Sequence, residues 1–234
     1  MSNQPAPLPS VPLDRWPPVW TPSAVIFDCD GLLVDTEGRW VLLQEDYLAR
    51  HGAALDPEAR RALTGRAAEI VVLAIAEAVG KDPQLVGREL LEEHRSTIGE
   101  KLTPLPGALE TLRTIAGVKP VAVASNSPRE MLEVKLAELG IADVVDVSIA
   151  IEDVAAPKPS PEMYLAAARA LGADPADCLG FEDSETGAEA ALAAGLQLIA
   201  VPSIPGQDPR APRRLSSLTD AVLADWIAGW GSTR

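Results

Sequence analysis

Histidine is nearly missing from this chain: 234 residues contain only His51 and His94. Cysteine is equally scarce, with Cys29 and Cys178 alone and in no C-x-x-C spacing. That poverty argues against a zinc centre of imidazole and thiolate, and two reduced cysteines suit a cytosolic protein. Aromatic residues are only 4% of the chain, so Ala, Leu and Val must supply the core, a mixture that favours helices packed on a buried sheet. No run reaches the ~18 apolar residues of a membrane span. The opening MSNQPAPLPSVPLDR has no basic segment followed by an apolar one, so no secretory signal is expected. Positive charge is short as well: 20 Lys and Arg against 34 Asp and Glu leave a net charge of −14. Such a balance disfavours nonspecific binding to nucleic acid or an anionic membrane. An anionic substrate would need a metal cation and a few placed basic groups to reverse the sign locally. The expectation is a soluble, cytoplasmic protein with neither a nucleic-acid nor a membrane partner.

Seven prolines crowd residues 1–22 and prevent helix and sheet there, so this stretch reads as a disordered or extended arm, with Trp16 and Trp20 available to dock it. Order begins with the short apolar run AVIFD (24–28), a buried strand. From Thr36 to Arg95 the pattern turns helical, with Trp40, Leu43 and Tyr47, then Ile70, Leu73 and Val79, then Leu85, Leu90 and Leu91 as apolar stripes. Gly52, Asp56-Pro57, Gly65 and Asp82-Pro83 divide it. After TPLPG (103–107), helices at 107–116, 128–139, 161–171 and 185–194 alternate with strands at 120–124, 145–150, 178–181 and 197–201, and a last helix covers 218–229. Alternation of this kind predicts a Rossmann-like α/β core with a parallel sheet. The long stretch after the first strand is then an inserted α-helical cap. The predicted domains are the arm (1–22), the core (23–35 and 104–234) and the cap (36–103).

Ligands of open parallel sheets sit beyond the carboxyl ends of the strands. Those ends carry Asp28-Cys29-Asp30-Gly31, Ser125-Asn126-Ser127, a loop reaching Lys158, and Glu182-Asp183-Ser184; the fifth, Pro202-Ser203, reads as uninformative. Asp28, Asp30, Glu182 and Asp183 cannot all stay ionised at one point without a cation. Oxygen-only ligands suit a hard divalent ion, and Mg²⁺ commonly accompanies phosphate substrates. Lys158, framed by prolines in PKPSP, and Ser125 with the N–H groups around it provide an anion receiver. Together these parts form a toolkit for phosphoryl transfer.

VIFDCDGLLVDTE (25–37) resembles the D-x-D-G signature of the haloacid-dehalogenase-like hydrolases. VASNS (123–127), KPSPEMY (158–164) and FEDSETGAEAALAAGL (181–196) are similar to that family's second, third and fourth motifs, in order and spacing. The resemblance implies that Asp28 attacks phosphorus and forms an aspartyl-phosphate. It implies that Asp30 protonates the leaving oxygen and then takes a proton from water. Mg²⁺ would be held by Asp28, the backbone carbonyl of Asp30 and Asp183, with Glu182 a direct or water-mediated ligand. Ser125, Asn126 and Lys158 would hold phosphoryl oxygens, and the helical insert would be the small cap that closes over substrate. Dehalogenating members lack the aspartate matching Asp30 and use no metal, so Asp30 and Glu182-Asp183 favour phosphate chemistry. Pro157 departs from the glycine more usual before the lysine.

Cys29 reads as a packing residue, since strand alternation turns it away from its acidic neighbours. Within the insert, Glu37 and Arg66 are candidate substrate contacts, each competing with a plain surface or hinge role, and Trp40 reads as a packing residue. The function expected is a Mg²⁺-dependent phosphatase acting on a small phosphorylated metabolite, with a sugar or polyol phosphate favoured. The alternative is a phosphomutase of the β-phosphoglucomutase type; Trp40 and Thr64 stand where such mutases carry a histidine and a basic residue, which favours hydrolysis. A noncatalytic protein that merely keeps the fold is the third reading.

Overall fold

A computed structural model of the chain describes residues 13, 15–63, 68–96, 102–204 and 206–231. The chain divides into two compact units, one from residues 1–34 and 104–234 and the other from 35–103.

The first unit is built on one six-stranded parallel sheet of order β3-β2-β1-β4-β5-β6. Its strands are β1 (Ala24–Phe27), β2 (Val121–Ala124), β3 (Val147–Ile149), β4 (Cys178–Glu182), β5 (Gln197–Ala200) and β6 (Arg213–Arg214). Between them run α5 (Ala108–Ala116), α6 (Arg129–Glu138), α7 (Glu162–Ala170) and α8 (Glu185–Ala193), and α9 (Ala221–Ala228) closes the chain. The central strands β1, β2 and β4 are buried along their whole length, which is why they read as unbroken apolar runs. On one face Ala24, Ile26, Ala122 and Ala124 meet Met163, Tyr164 and Ala167 of α7 and Ala188 and Ala191 of α8. Alanine on both partners lets helix and sheet approach closely. Phe27 and Phe181, paired across β1 and β4, stack with ring centroids 5.0 Å apart.

The expected strands and helices of the core are present with ends shifted by one to three residues. The sixth strand is new: β6 is two arginines long and pairs with β5 at Ile199 and Ala200. No apolar run marks it, because an edge strand this short owes its place to its neighbour rather than to burial. Residues 15–22 carry no helix or strand and lie against α9. Trp16 and Trp20 pack on Trp226, whose Nε1 donates to the Trp20 carbonyl at 3.0 Å.

The second unit is wholly helical among its described residues: α1 (Thr36–Arg50), α2 (Pro57–Leu63), α3 (Ala68–Val79) and α4 (Pro83–Ser96). Asp35 accepts from Gly38 N, Asp56 from Glu58 N and Ala59 N, and Asp82 from Gln84 N and Leu85 N. Each therefore caps a helix start, and Pro57 and Pro83 occupy first positions where their missing N–H costs nothing. Tyr47, Leu48, Val71, Ile75, Ala76, Val86 and Leu90 form the core, with Trp40 and Leu43 packed against it. The expected stripes need one correction. Ile70, Leu73, Leu85 and Leu91 are exposed, and Val71 and Ile75 face inward instead. In AEIVVLAIAEAV apolar residues cover nearly the whole circumference, so spacing alone does not single out the inner face. His51 belongs to this unit, its Nδ1 2.8 Å from the Tyr47 carbonyl.

Candidate active site

The strand order reverses between β1 and its two neighbours, β2 and β4, so a crevice forms where their carboxyl ends diverge. Asp28 directly follows β1, and its N–H bonds to Phe181 O at 3.0 Å, fixing it level with the end of β4. Glu182 ends β4 and Asp183 follows it. Ligand oxygens of Asp28, Glu182 and Asp183 all lie within 4.8 Å of one another, and all three residues are buried.

Lys158 reaches into this group from the loop before α7. Its Nζ donates to Asp28 Oδ1 at 2.6 Å, Glu182 Oε1 at 2.6 Å and Ala124 O at 2.9 Å, which uses all three ammonium protons. Burial disfavours that charge, but Asp28 and Glu182 outweigh burial and hold the lysine well above its ordinary value. One cation is not enough for three carboxylates. Burial, and then the Glu182 charge, push Asp28 well above the usual carboxylate range despite Lys158. Burial and Glu182 likewise push Asp183 up to about 7.

Glu182 is completely enclosed. Tyr164 donates to its Oε1 at 2.5 Å beside Lys158, and Ser184 Oγ and the Asp183 N–H donate to Oε2 at 3.2 Å each. Gly187 explains how it fits: a Cβ at that position would stand 1.9 Å from Glu182 Oε1. Asp183 is held by Ser203 Oγ at 3.1 Å and Gln207 Nε2 at 3.4 Å, both on Oδ2. It presses against Gly31, which has φ +83 and whose Cβ would lie 2.1 Å from Asp183 Oδ2. Only glycine meets both demands.

Asp30 points to a second cluster. Ser125 Oγ and Ser127 Oγ donate to its Oδ2 at 3.0 and 2.8 Å, and the Lys135 ammonium pairs with its Oδ1. Burial raises this carboxyl, but Lys135 and the two serines together outweigh burial and hold it below the usual range. Asn126 spends both ends of its amide on Lys158: Oδ1 accepts from the Lys158 N–H at 3.0 Å and Nδ2 donates to its carbonyl at 3.4 Å. It joins the β2 and α7 loops, and its own backbone N–H meets no acceptor among the described residues. Cys29 is fully buried, and burial pushes its thiol up, the condition of a packing residue.

Seven of the expected site residues, Asp28, Asp30, Ser125, Asn126, Lys158, Glu182 and Asp183, therefore lie together. The side chain of Glu37 and the whole of Arg66 and Thr64 are outside the described residues. Lys135, Tyr164, Ser127, Ser203 and Gln207 were not foreseen. Lys135 had a readable signal, a lysine three residues after Leu132 and one before Leu136, on what is otherwise an apolar face. Ser203 corrects the reading of Pro202-Ser203 as uninformative, since it bonds a site carboxylate.

A family model for haloacid dehalogenase-like hydrolases matches residues 22–195. The chain belongs to that family. The resemblance carried by its four strand-end segments holds, and the α/β core is the family's fold. Fructose-1-phosphate phosphatase YqaB of Escherichia coli is 33% identical over 181 residues, covering 76% of this chain and 96% of that protein. Hexitol phosphatase B of Escherichia coli is 35% identical over 214 residues, covering 87% and 96%. A putative beta-phosphoglucomutase from Thermotoga maritima superposes with a TM-score of 0.74 over 88% of this chain and 99% of its own; at 24% identity it speaks for the fold alone. The chain is thus a hydrolase with phosphatase relatives. No helix among the described residues is long and apolar enough to cross a membrane.

Proposed function

We propose that this hydrolase is a Mg²⁺-dependent phosphatase that cleaves a small phosphorylated metabolite, a sugar or polyol phosphate, through an aspartyl-phosphate on Asp28. The observation that carries the reading is the meeting of Asp28, Lys158, Glu182 and Asp183 at the reversal of strand order, with Asp30 two residues on from Asp28. The names of the two phosphatase relatives, for fructose 1-phosphate and for hexitol phosphates, support a sugar or polyol phosphate as the substrate class.

The donor set fits a hard divalent cation. All its ligand atoms are oxygens, and the negative charge left over after Lys158 calls for one. Asp28 and Asp183 would hold it, since each uses one carboxylate oxygen toward the protein and the other accepts no hydrogen bond among the described residues. Glu182 acts by charge or through water, because both its oxygens are already bonded. Bound there, Mg²⁺ would supply the positive charge that keeps Asp28 ionised and offsets that of a phosphoryl group.

An Asp28 oxygen then forms a bond to phosphorus as the ester P–O bond breaks. The approaching phosphoryl anion raises the Asp30 carboxyl by like-charge repulsion, and the protonated Asp30 gives its proton to the departing oxygen. Water next attacks phosphorus, Asp30 takes its proton, and the bond between phosphorus and Asp28 breaks to release phosphate. Ser125 Oγ and the Asn126 N–H receive phosphoryl oxygens, and the Lys158 charge steadies the attacking carboxylate.

Phosphate release from a panel of sugar and polyol phosphates, with and without Mg²⁺, tests the reading. Activity should need the cation and fall at least ~10³-fold in Asp28→Asn, by loss of the covalent route. Equal rates in wild type and Asp28→Asn would remove the assignment. Conversion of glucose 1-phosphate to glucose 6-phosphate in the presence of a bisphosphate primer, without free phosphate, would replace hydrolysis by a mutase.

A further inference from the structure

Lys135 sits on the buried face of α6 between Leu132 and Leu136, with 4% of its side chain exposed. A methylene chain ending in an apolar group would fill this place at lower cost, since an ammonium loses several kcal/mol of hydration on burial. Its Nζ contacts are specific: the Asp30 carboxylate and Ser127 Oγ at 2.8 Å. Ser127 Oγ in turn donates to the other oxygen of the same carboxylate, as does Ser125 Oγ, and Ser125 Oγ accepts from the Ser127 N–H at 3.0 Å. Asp30 is thus gripped through both oxygens by three side chains of the β2–α6 segment. About a third of its side chain, 31%, stays open. This is how a reacting carboxylate is mounted: fixed on one side, accessible on the other. Of the three, Ser125 is also the residue read as a phosphoryl receiver, so substrate competes for its hydroxyl. Lys135 touches neither Asp28, Glu182 nor Asp183 by a hydrogen bond among the described residues, so its grip persists.

We propose that Lys135 is a positioning residue for Asp30, holding its carboxylate where it can serve the proton transfers of both half-reactions. This rests on the acid–base reading of Asp30 given above. Misplacing a reacting group by about 1 Å costs on the order of 100-fold in rate, and that is the loss expected here, confined to steps that use Asp30.

p-Nitrophenyl phosphate separates the steps. Its phenol leaves without protonation, so formation of the aspartyl-phosphate does not use Asp30, whereas its hydrolysis does. In rapid-mixing experiments Lys135→Met should release one equivalent of nitrophenol per enzyme at a rate within about threefold of wild type, and then turn over about 100-fold more slowly. Asp30→Asn should give the same burst and slow phase, and adding Lys135→Met to it should cost nothing more, because the lysine acts through a carboxylate already gone. Lys135→Gln, which keeps an N–H donor without a buried unpaired charge, is read in the same way should Lys135→Met fold poorly, and should lie between wild type and Lys135→Met. A burst and slow phase in Asp30→Asn but not in the Lys135 variants overturns the proposal alone, as do losses that multiply in the double variant. Absence of the burst pattern in Asp30→Asn itself overturns the reading of Asp30, and this proposal with it.

Discussion

Raising the pH should weaken the metal-free protein and strengthen its response to Mg²⁺, and Asp183 sets the size of both effects. Burial and the Glu182 carboxylate push Asp183 up to about 7 from an ordinary value of 3.8. Between those values the folded state keeps a proton that the unfolded state has lost. Fewer protons bound in the unfolded state means that stability falls as pH rises. The stabilising protonation is fully present below about pH 4 and is gone above about pH 7. Roughly three pH units at about 1.4 kcal/mol each give a loss on the order of 4 kcal/mol. Asp28, raised in the same direction, adds to the slope, whereas the lowered Asp30 opposes it only below the usual carboxylate range. At about 2–4 °C per kcal/mol for a chain of 150–250 residues, melting should drop on the order of 10 °C between pH 4.5 and 7.5 in EDTA. A cation favours the ionised carboxylate, so the gain in melting temperature on adding Mg²⁺ should grow over the same interval. Asp183→Asn should flatten the EDTA slope and abolish most of the Mg²⁺ gain. A melting temperature in EDTA that is flat or rises from pH 5 to 7, or the same slope in Asp183→Asn, would refute the charge balance argued for this site.

Tyr164→Phe deletes one of the two donors on Glu182 Oε1 and should cost about 1–3 kcal/mol in urea unfolding; a change under about 0.5 kcal/mol would mean the buried bond carries no weight. Gly187→Ala puts a Cβ 1.9 Å from Glu182 Oε1 and must displace that carboxylate from Lys158 and Tyr164, so a loss of about 3 kcal/mol or more is expected; a variant as stable as wild type would show that Glu182 has room to move. Trp226→Ala removes the ring on which Trp16, Trp20 and Trp230 pack and should cost about 3–5 kcal/mol. It should also open the Arg15–Trp16 bond to trypsin; unchanged digestion would show that the arm is held elsewhere.

How far the sequence could be read depends on which force positions each part. β1, β2, β4 and β5 are placed by burial on both faces, and burial writes itself as an apolar run. Asp28, Glu182 and Asp183 follow because strand ends in such a sheet face one crevice, so a strand assignment carries its next residue to the site. Where the chain's neighbours decide, the signal fades. β6 is a pair of arginines recruited to an edge. The inner face of α3 is chosen by its partner helices from a nearly uniform apolar surface. Gln207 lies in a loop and reaches Asp183 through a turn in which its own Oε1 accepts from Ser203 N and Ile204 N at 3.0 Å. Nothing in the order of residues announces that turn.

Lys135 was the costliest omission, because it changes the charge of the site. Four strand-end acids and Lys158, as the sequence presents them, leave an excess of three negative charges, which a single divalent cation does not cancel. Its ion pair with Asp30 removes one of the four acids from the count. What remains beside Lys158 is Asp28, Glu182 and Asp183, an excess of two, which one divalent ion would match. Neutrality at that point is what a chain of net charge −14 needs before a phosphoryl anion can approach. The arrangement also separates the duties of the two aspartates on β1's loop. Asp28 is tied to Lys158, and Asp30 to Lys135 and the serines; in the proposed mechanism this keeps a charge available for attack on the first and lets a proton come and go on the second. Two acids two residues apart can do different chemistry only if their counter-ions differ, and here two lysines, one on α6 and one in the loop before α7, divide them.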